Sequence, residues 1–390
     1  MLNKEKNMRT FKEYLQEAAQ IDGKLLHLTH LEDLHIDHGQ AGFKHAVAEL
    51  TRVKKHVESG KSDSSLTSKI DGSPSVVMGH HPVSGKYFVA SKSAFNKTPK
   101  INYTHNDIEK NHGHAPGLVE KLKSALDHGH KILPKHGVFQ GDILHSGSDI
   151  KHGKTTATFK PNTIEYTAHG AEAEKVKKSK FGVALHTEYH GKDLANMKAA
   201  PIKDHSKFAH HEDVYSPSVA FKSSGNKMSD ADEKAFDSHI ASANSSHSAT
   251  NYSHIALHSA HINTYINQTV RSGNTPEHKD FVRHLEAIKT KAVNSVKTEK
   301  AKSAKSDLHQ STINLAKGDH KTSISHALNS QHHLQAAKDL LVKHMDSSAE
   351  GLEAKINGKK VGPEGYVSSH RGKSSKLVNR SEFSRANFQR

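Results

Sequence analysis

"SKIDGSPSVV" (residues 68–77) stands where the sequence turns from helix-like to strand-like patterning, and its Lys69, Asp71 and Gly72 spell K-x-D-G. The plain reading is a lysine on a strand before an Asp-Gly turn. A second reading is a lysine that attacks a nucleotide phosphate. Three fixed positions recur by chance in long chains, so the stretch alone is weak evidence. A nucleophilic lysine also needs companions: charge-neutralising cations, carboxylates for a metal and a ribose, and a slot for a purine.

Working outward, residues 66–190 carry short β-rich runs bounded by turn residues: "SLTSKIDGSPSVVMGHH", "GKYFVASKSAF", "HGVFQGDIL", "TTATFKPNTIEYTA" and "KFGVALHTEY". One helix interrupts them, "APGLVEKLKSALDHGHKIL" (115–133). This pattern predicts an α+β domain with a mostly antiparallel sheet. Upstream, 24–58 reads as two amphipathic helical pieces broken at Gly39 and Gly42.

Residues 226–347 change character, with Pro276 the only proline from 219 to 362. Ser229 and Asp232 form a capping pattern. Apolar stripes at Ile255, Ile262, Ile266 and Val270, at Phe281, Leu285 and Ile288, and at Leu334, Ala337, Leu340 and Leu341 predict three to five helices. Residues 289–306 read either as a solvated helix or as a flexible basic segment. Strand character returns at 352–379, where Asn357-Gly358 signals a hairpin. The helices therefore read as an insertion between early and late strands of one sheet.

The companions of Lys69 occur in order along the chain. Lys92 follows in "FVASKS", Asp142 in "FQGDIL", Phe181 opens "FGVALHTEY", Glu364 lies in "PEGYVSS" and Lys376 in "SSKLV". This series resembles the covalent nucleotidyltransferase superfamily of ATP-dependent DNA and RNA ligases and mRNA capping enzymes. Lys69-Ile70-Asp71-Gly72 looks like its motif I and Phe139-Gln140-Gly141-Asp142 its motif III, with Asp where Glu is usual. Phe181 to Leu185 is similar to motif IIIa, Glu364-Gly365-Tyr366-Val367 to motif IV, and Ser374 to Val378 to motif V. Several stretches resemble phage RNA-ligase-like proteins more than DNA ligases.

The resemblance covers roughly 65–190 and 352–380, and implies a ligase adenylation-domain fold, ATP, and Mg²⁺ or Mn²⁺. It makes Lys69 the nucleophile and Glu364 a metal ligand. Asp142 would contact ribose or metal, and Lys376 the α-phosphate. Asp71, Gly72, Lys92 and Phe181 would complete the nucleotide site. Two departures stand out: Ser374 replaces the first lysine of motif V, and only 14 residues follow Lys376, too few for a closing C-terminal domain.

"MRTFKEYLQEAAQ" (8–20) is an amphipathic pattern that resembles the capsid-targeting peptides of phage head proteins, which a prohead protease cuts after Leu-x-Glu. Leu15-Gln16-Glu17 fits. An ordinary N-terminal helix is the alternative.

The net charge of +15 and pI of about 9.5 favour a phosphate-rich partner such as nucleic acid. The absence of cysteine excludes disulfides and thiolate zinc sites. The 36 histidines are scattered without a repeated ligand spacing, which argues against dedicated metal clusters. No apolar run is long enough to cross a bilayer.

The expectation is an N-terminal peptide (1–20), a nucleotidyltransferase domain in two parts (21–225 and 351–390), and a helical insertion (226–350). The expected activity is ATP-dependent joining of RNA or DNA ends or nicks through lysyl-AMP, in the cytoplasm of an infected host cell or packaged in a virion. The alternative is a basic nucleic-acid-binding head protein on a degenerate ligase fold without catalysis.

Overall fold

The computed structural model describes residues 30–60, 65–96, 98–219, 221, 225–347, 352–370, 373–380 and 383. The peptide at 8–20 lies outside them. The chain divides into two units. The first helix, α1 (Leu34–Ser59), belongs to the second unit, which gathers 29–64, 223–348 and 375–390; the first gathers 1–28, 65–222 and 349–374.

The first unit is α+β. In chain order it holds β1 (Ser65–Lys69), β2 (Ser75–His80), β3 (Tyr87–Ala90), α2 (His105–His112), α3 (Pro116–His128), β4 (Val138–Ser146), β5 (Lys151–His152), β6 (Thr156–Phe159), β7 (Glu165–His169), α4 (Gly170–Lys178), β8 (Phe181–His190), β9 (Lys198–Pro201) and β10 (Val214–Tyr215). In the second unit follow α5 (Asp230–Ser248), α6 (Tyr252–Ser272), α7 (His278–Asn294), α8 (Glu299–Lys317) and α9 (Lys321–Ser347). The chain then returns to strands: β11 (Glu353–Ile356), β12 (Lys359–Val361), β13 (Gly365–His370) and β14 (Lys373–Val378).

Among the described residues three sheets form: β1-β13-β14, β10-β8-β4-β2-β3 with β9 beside β8, and β12-β11-β7-β6-β5. Pairing is antiparallel apart from β8 with β10. Early β1 pairs with late β13, and β7 with late β11, so strands on either side of the helices in the sequence share sheets. The Asn357-Gly358 hairpin forms between β11 and β12, both turn residues having positive φ, 50° and 80°.

The long sheet is buried on two faces. On one, Val76, Met78, Val89, Ile143 and Val183 pack against Val119, Leu122 and Ala125, one stripe of α3. On the other, Val77, Phe88, Val138 and Tyr189 gather around Phe95 and Leu194. Each such side chain removed from water contributes about 1.5–3 kcal/mol. Helix α2 has no sequence-level counterpart above, because "HNDIEKNH" is polar nearly throughout; Thr104 and Asp107 start it with a reciprocal capping box.

The domain boundaries differ from the expectation. Residues 29–64, assigned above to the nucleotidyltransferase part, and 375–390, assigned to its last strands, belong with the helices. The reason is the apolar stripe of α1. Ile36, Phe43, Ala46, Leu50, Val53 and Val57 recur at three-, four- and seven-residue spacing and are buried. Ile36 joins the core of Ile255, Ile262, Ile266, Phe281, Leu285 and Ile324. Phe43 stacks on His247 with ring centroids 3.9 Å apart, and buried His35 donates to the Ala327 carbonyl at 3.0 Å. The bend in α1 falls at Gly39, whose φ of 57° suits glycine.

Five helices fill 226–347, and Ser229 caps α5 by accepting from Asp232 N at 3.1 Å. The segment 289–306 is the end of α7, a turn, and the start of α8. Among the described residues no helix is long and apolar enough to cross a membrane.

Candidate functional site

The site grows from the register of β1 on β13. Lys69, the last residue of β1, lies opposite Gly365, the first of β13. That register brings Glu364, one residue before β13, to the lysine, and Lys69 Nζ donates to Glu364 Oε2 in an ion pair. Both side chains are partly exposed, at 32% and 16%, so the pair is open to solvent and to a ligand.

From Lys69 the chain crosses to the long sheet through Ile70-Asp71-Gly72-Ser73-Pro74. Ser73 N donates to Ile143 O at 2.9 Å, Ile143 N to Pro74 O at 3.0 Å, and β2 then pairs Ser75 with Asp142. Gly72 lies against Asp142 so closely that a Cβ there would come 2.6 Å from the Asp142 Cβ. Glycine is thus required by a close approach. Lys121 Nζ steadies the crossing by donating to Ser73 O at 3.0 Å.

Asp71 is committed to the fold. Its carboxylate accepts from Asn162 Nδ2 at 2.9 Å, Thr163 N at 3.1 Å and Ile164 N at 3.4 Å. Its own amide donates to the Tyr166 hydroxyl at 2.7 Å. The aspartate of K-x-D-G therefore ties the lysine loop to the 162–166 segment, a positioning contact and not a ligand contact. Burial, together with the carboxylates of Asp71, Glu364 and Asp142, pushes the Tyr166 phenol well above its ordinary value.

Asp142 keeps its charge. Burial opposes ionisation, but the His186 ring, Lys69 and the Ser75 hydroxyl together hold the carboxyl below its usual value. His186 Nε2 is 3.5 Å from Asp142 Oδ2, and its Nδ1 meets Thr187 Oγ1 at 2.8 Å. Neither His186 nor Tyr166 was singled out from the sequence. His186 was one histidine among many, and Tyr166 read as an ordinary strand aromatic.

The other expected residues are placed less uniformly. Lys92 is exposed on the short 3₁₀ turn Lys92–Phe95, which leaves β3 at the sheet end where β2 begins with Ser75. Phe181 is fully buried: it opposes Ser146 and Val214 and packs with Val76, Ile143 and Val183. That corrects its expected place in the nucleotide slot, because a ring enclosed by core residues presents no face to a base. Lys376 lies on β14 beyond the boundary at Ser374, in the second unit, where a bridge joins it to His30. Ser374, at the motif V position, shares a hydrogen bond of 2.7 Å with the Ser369 hydroxyl.

Among the described residues no group of three or more His, Asp or Glu side chains is arranged to hold a metal ion by itself. Mg²⁺ seldom requires that, since one or two carboxylates and substrate phosphates commonly hold it. Glu364, paired with Lys69, and Asp142, within electrostatic reach of it, provide two hard oxygen donors. The donor set fits Mg²⁺ or Mn²⁺ bound together with a polyphosphate.

No curated protein and no solved structure matches the chain. The sequence profile of a family of unknown function, DUF6267, matches residues 26–390, and the chain belongs to that family.

Proposed function

We propose that the chain is an ATP-dependent polynucleotide ligase acting through lysyl-AMP on Lys69, with its strand unit a nucleotidyltransferase fold. One observation carries the reading. Lys69 and Glu364, picked from the sequence as nucleophile and metal ligand, are 295 positions apart and meet as an ion pair. Two unrelated surface charges have no reason to converge from such a separation, and an exposed pair contributes little stability.

The chemistry follows from the residues. Attack needs a free lone pair on Lys69 Nζ, so the contact with Glu364 must part before reaction. Bound Mg²⁺, held through Glu364 and Asp142, would neutralise charge on the triphosphate. Lys69 then forms a bond to the α-phosphorus, the bond to the β-phosphate oxygen breaks, and pyrophosphate leaves with that electron pair; the amine proton passes to solvent. A 5′-phosphate oxygen next takes AMP from the lysine. A 3′-hydroxyl finally displaces AMP and joins the ends. Asp71 holds the lysine loop, Gly72 admits the loop to Asp142, and His186 keeps the Asp142 carboxylate oriented.

The test is incubation with α-labelled ATP or GTP and Mg²⁺. An acid-labile protein adduct is expected with ATP, and Lys69→Ala abolishes it. No adduct with either nucleotide, where a known ligase labels, overturns the reading and leaves a non-catalytic nucleic-acid-binding protein. Nicked DNA, nicked RNA and single-stranded RNA then decide the strand that is joined.

A further inference from the structure

Charge on the helical unit is distributed unevenly. On α7 and α8, away from the turn that joins them, cations have acidic partners: Lys279 with Glu277 at 2.8 Å, Arg283 with Asp280 at 3.0 Å, and Lys317 with Glu286 at 2.7 Å. Around the turn, residues 289–305 hold six lysines and one acidic residue, Glu299. Lys302 takes that carboxylate at 2.7 Å, and Lys289 donates to neutral Gln310 at 2.7 Å. The side-chain amines of Lys291, Lys297, Lys300 and Lys305 make no ion pair or hydrogen bond among the described residues.

Helix stability accounts for only part of this placement: Lys291 stands in the last turn of α7, where the helix end favours a cation. The start of a helix carries partial positive charge and favours acidic side chains. Lys297 and Lys300 flank the start of α8, where Thr298 is the cap, and so work against that preference. A solvated helix face would also show the matched pairs seen elsewhere on α7 and α8. The cost is recovered if an external polyanion supplies the missing negative charge.

The chemistry of the turn selects among polyanions. Binding to a bilayer surface by a helix needs a large apolar face to insert beside its basic residues. Val293 and Val296 are half-buried, and near the turn only Leu308 and Leu315, both on α8, are exposed large hydrophobics among the described residues, too few for such a face. The phosphate backbone of nucleic acid asks only for accessible cations, and Lys291, Lys297 and Lys300 are exposed and Lys305 half-exposed.

We propose that the α7–α8 turn is a docking surface for the phosphate backbone of nucleic acid, with Lys291, Lys297, Lys300 and Lys305 as its cations. It recognises charge, not base sequence. The surface would hold the strand for the ligase reading, but its existence does not depend on catalysis.

The test compares the full-length protein with a variant in which all four lysines are Gln, and with one in which all four are Arg. Binding to a labelled duplex of about 20 base pairs and to a single strand of equal length is followed from about 50 to about 200 mM salt. Each phosphate contact contributes about 0.9 to the log–log salt slope on duplex, so four contacts weaken wild-type binding about 100-fold across that range. The Gln variant should lose most of this slope and bind more weakly at low salt, while the Arg variant keeps both. Thermal unfolding that coincides with wild type shows that the Gln variant is folded. An unchanged slope in the Gln variant overturns the proposal, as does equal wild-type binding to vesicles of anionic lipid with equal loss in the variant. Labelling of Lys69 should be alike in all three proteins; its failure would count against the ligase reading and leave the docking surface standing.

Discussion

Lys338 Nζ lies 2.6 Å from Glu32 Oε1, and neither side chain has exposed surface. Arg380 stands 3.6 Å from the same oxygen and donates to Asp33 Oδ2 at 2.7 Å, while Gln331 donates to Asp33 Oδ1 at 3.0 Å. Charges taken out of water this completely need partners. Lys338→Met, which leaves Glu32 short of its nearest cation, should destabilise the helical unit by about 3–5 kcal/mol. The double variant Glu32→Leu with Lys338→Met should recover most of that loss. Urea unfolding followed by circular dichroism measures both. Equal loss in the single and double variants would show that packing, not charge, sets the cost.

A second stability prediction concerns pH. His258 Nε2 and His320 Nδ1 are 2.9 Å apart and buried, with His254 stacked on His320 at 4.1 Å. Burial, then the neighbouring imidazoles of His320, His261 and His254, lowers His258 to about 4. A depressed histidine stabilises the fold above its unfolded value near 6.5, and that stability is lost as pH falls from 6.5 towards 4. One such group accounts for at most about 1.4 kcal/mol per pH unit in that window. The melting temperature should therefore drop between pH 7 and pH 5. His258→Gln, whose amide does not titrate, should show a shallower drop.

Gly72→Ala tests the close approach beneath the lysine loop. The added methyl would stand 2.6 Å from the Asp142 Cβ and 3.0 Å from its carbonyl carbon. Either the loop or Asp142 must shift. Displacement of reacting groups by about 1 Å commonly costs about 100-fold in rate. The labelled adduct should form about 100-fold more slowly, with a cooperative melt retained. An adduct rate within about twofold of wild type would show that Asp142 does not need its present position.

Asp71 and Lys69, two residues apart, should respond oppositely to truncation. Asp71→Ala removes the acceptor of three hydrogen bonds, two of them from the amides of buried Thr163 and Ile164. A loss of about 2–4 kcal/mol is expected from the three lost bonds. Lys69→Ala removes one half of a partly exposed pair and should change stability by less than about 1 kcal/mol while abolishing the adduct. Comparing unfolding midpoints with labelling separates the positioning residue from the proposed nucleophile.

The signals that were legible in the sequence are local ones. The shift from strand to helix to strand follows from side-chain periodicity, and the Asn357-Gly358 turn from the need for positive φ. The cap at Ser229 follows from a hydroxyl placed before an apolar stripe. Where a local signal was faint, as in polar α2, only the completed capping box between Thr104 and Asp107 marks the helix. The candidate site was legible to the extent that its order was: Lys69, Asp142 and Glu364 stand in line along the chain and the structure brings Glu364 to Lys69.

What the sequence by itself determined is the set of elements, the order of the charged residues and the strongly basic balance. Tertiary structure alone decided which unit α1 joins, because its apolar stripe would suit any complementary core, and the one it meets is contributed by Ile255 to Ile324. It decided that Phe181 belongs to the core and that the Asp71 carboxylate is spent on Asn162 and Thr163, more than 90 positions away. It also set His186 against Asp142 through the pairing of β4 with β8. Periodicity and turn chemistry act over a few residues and can be read along the chain; burial and hydrogen-bond partnership depend on which distant segments fold against one another.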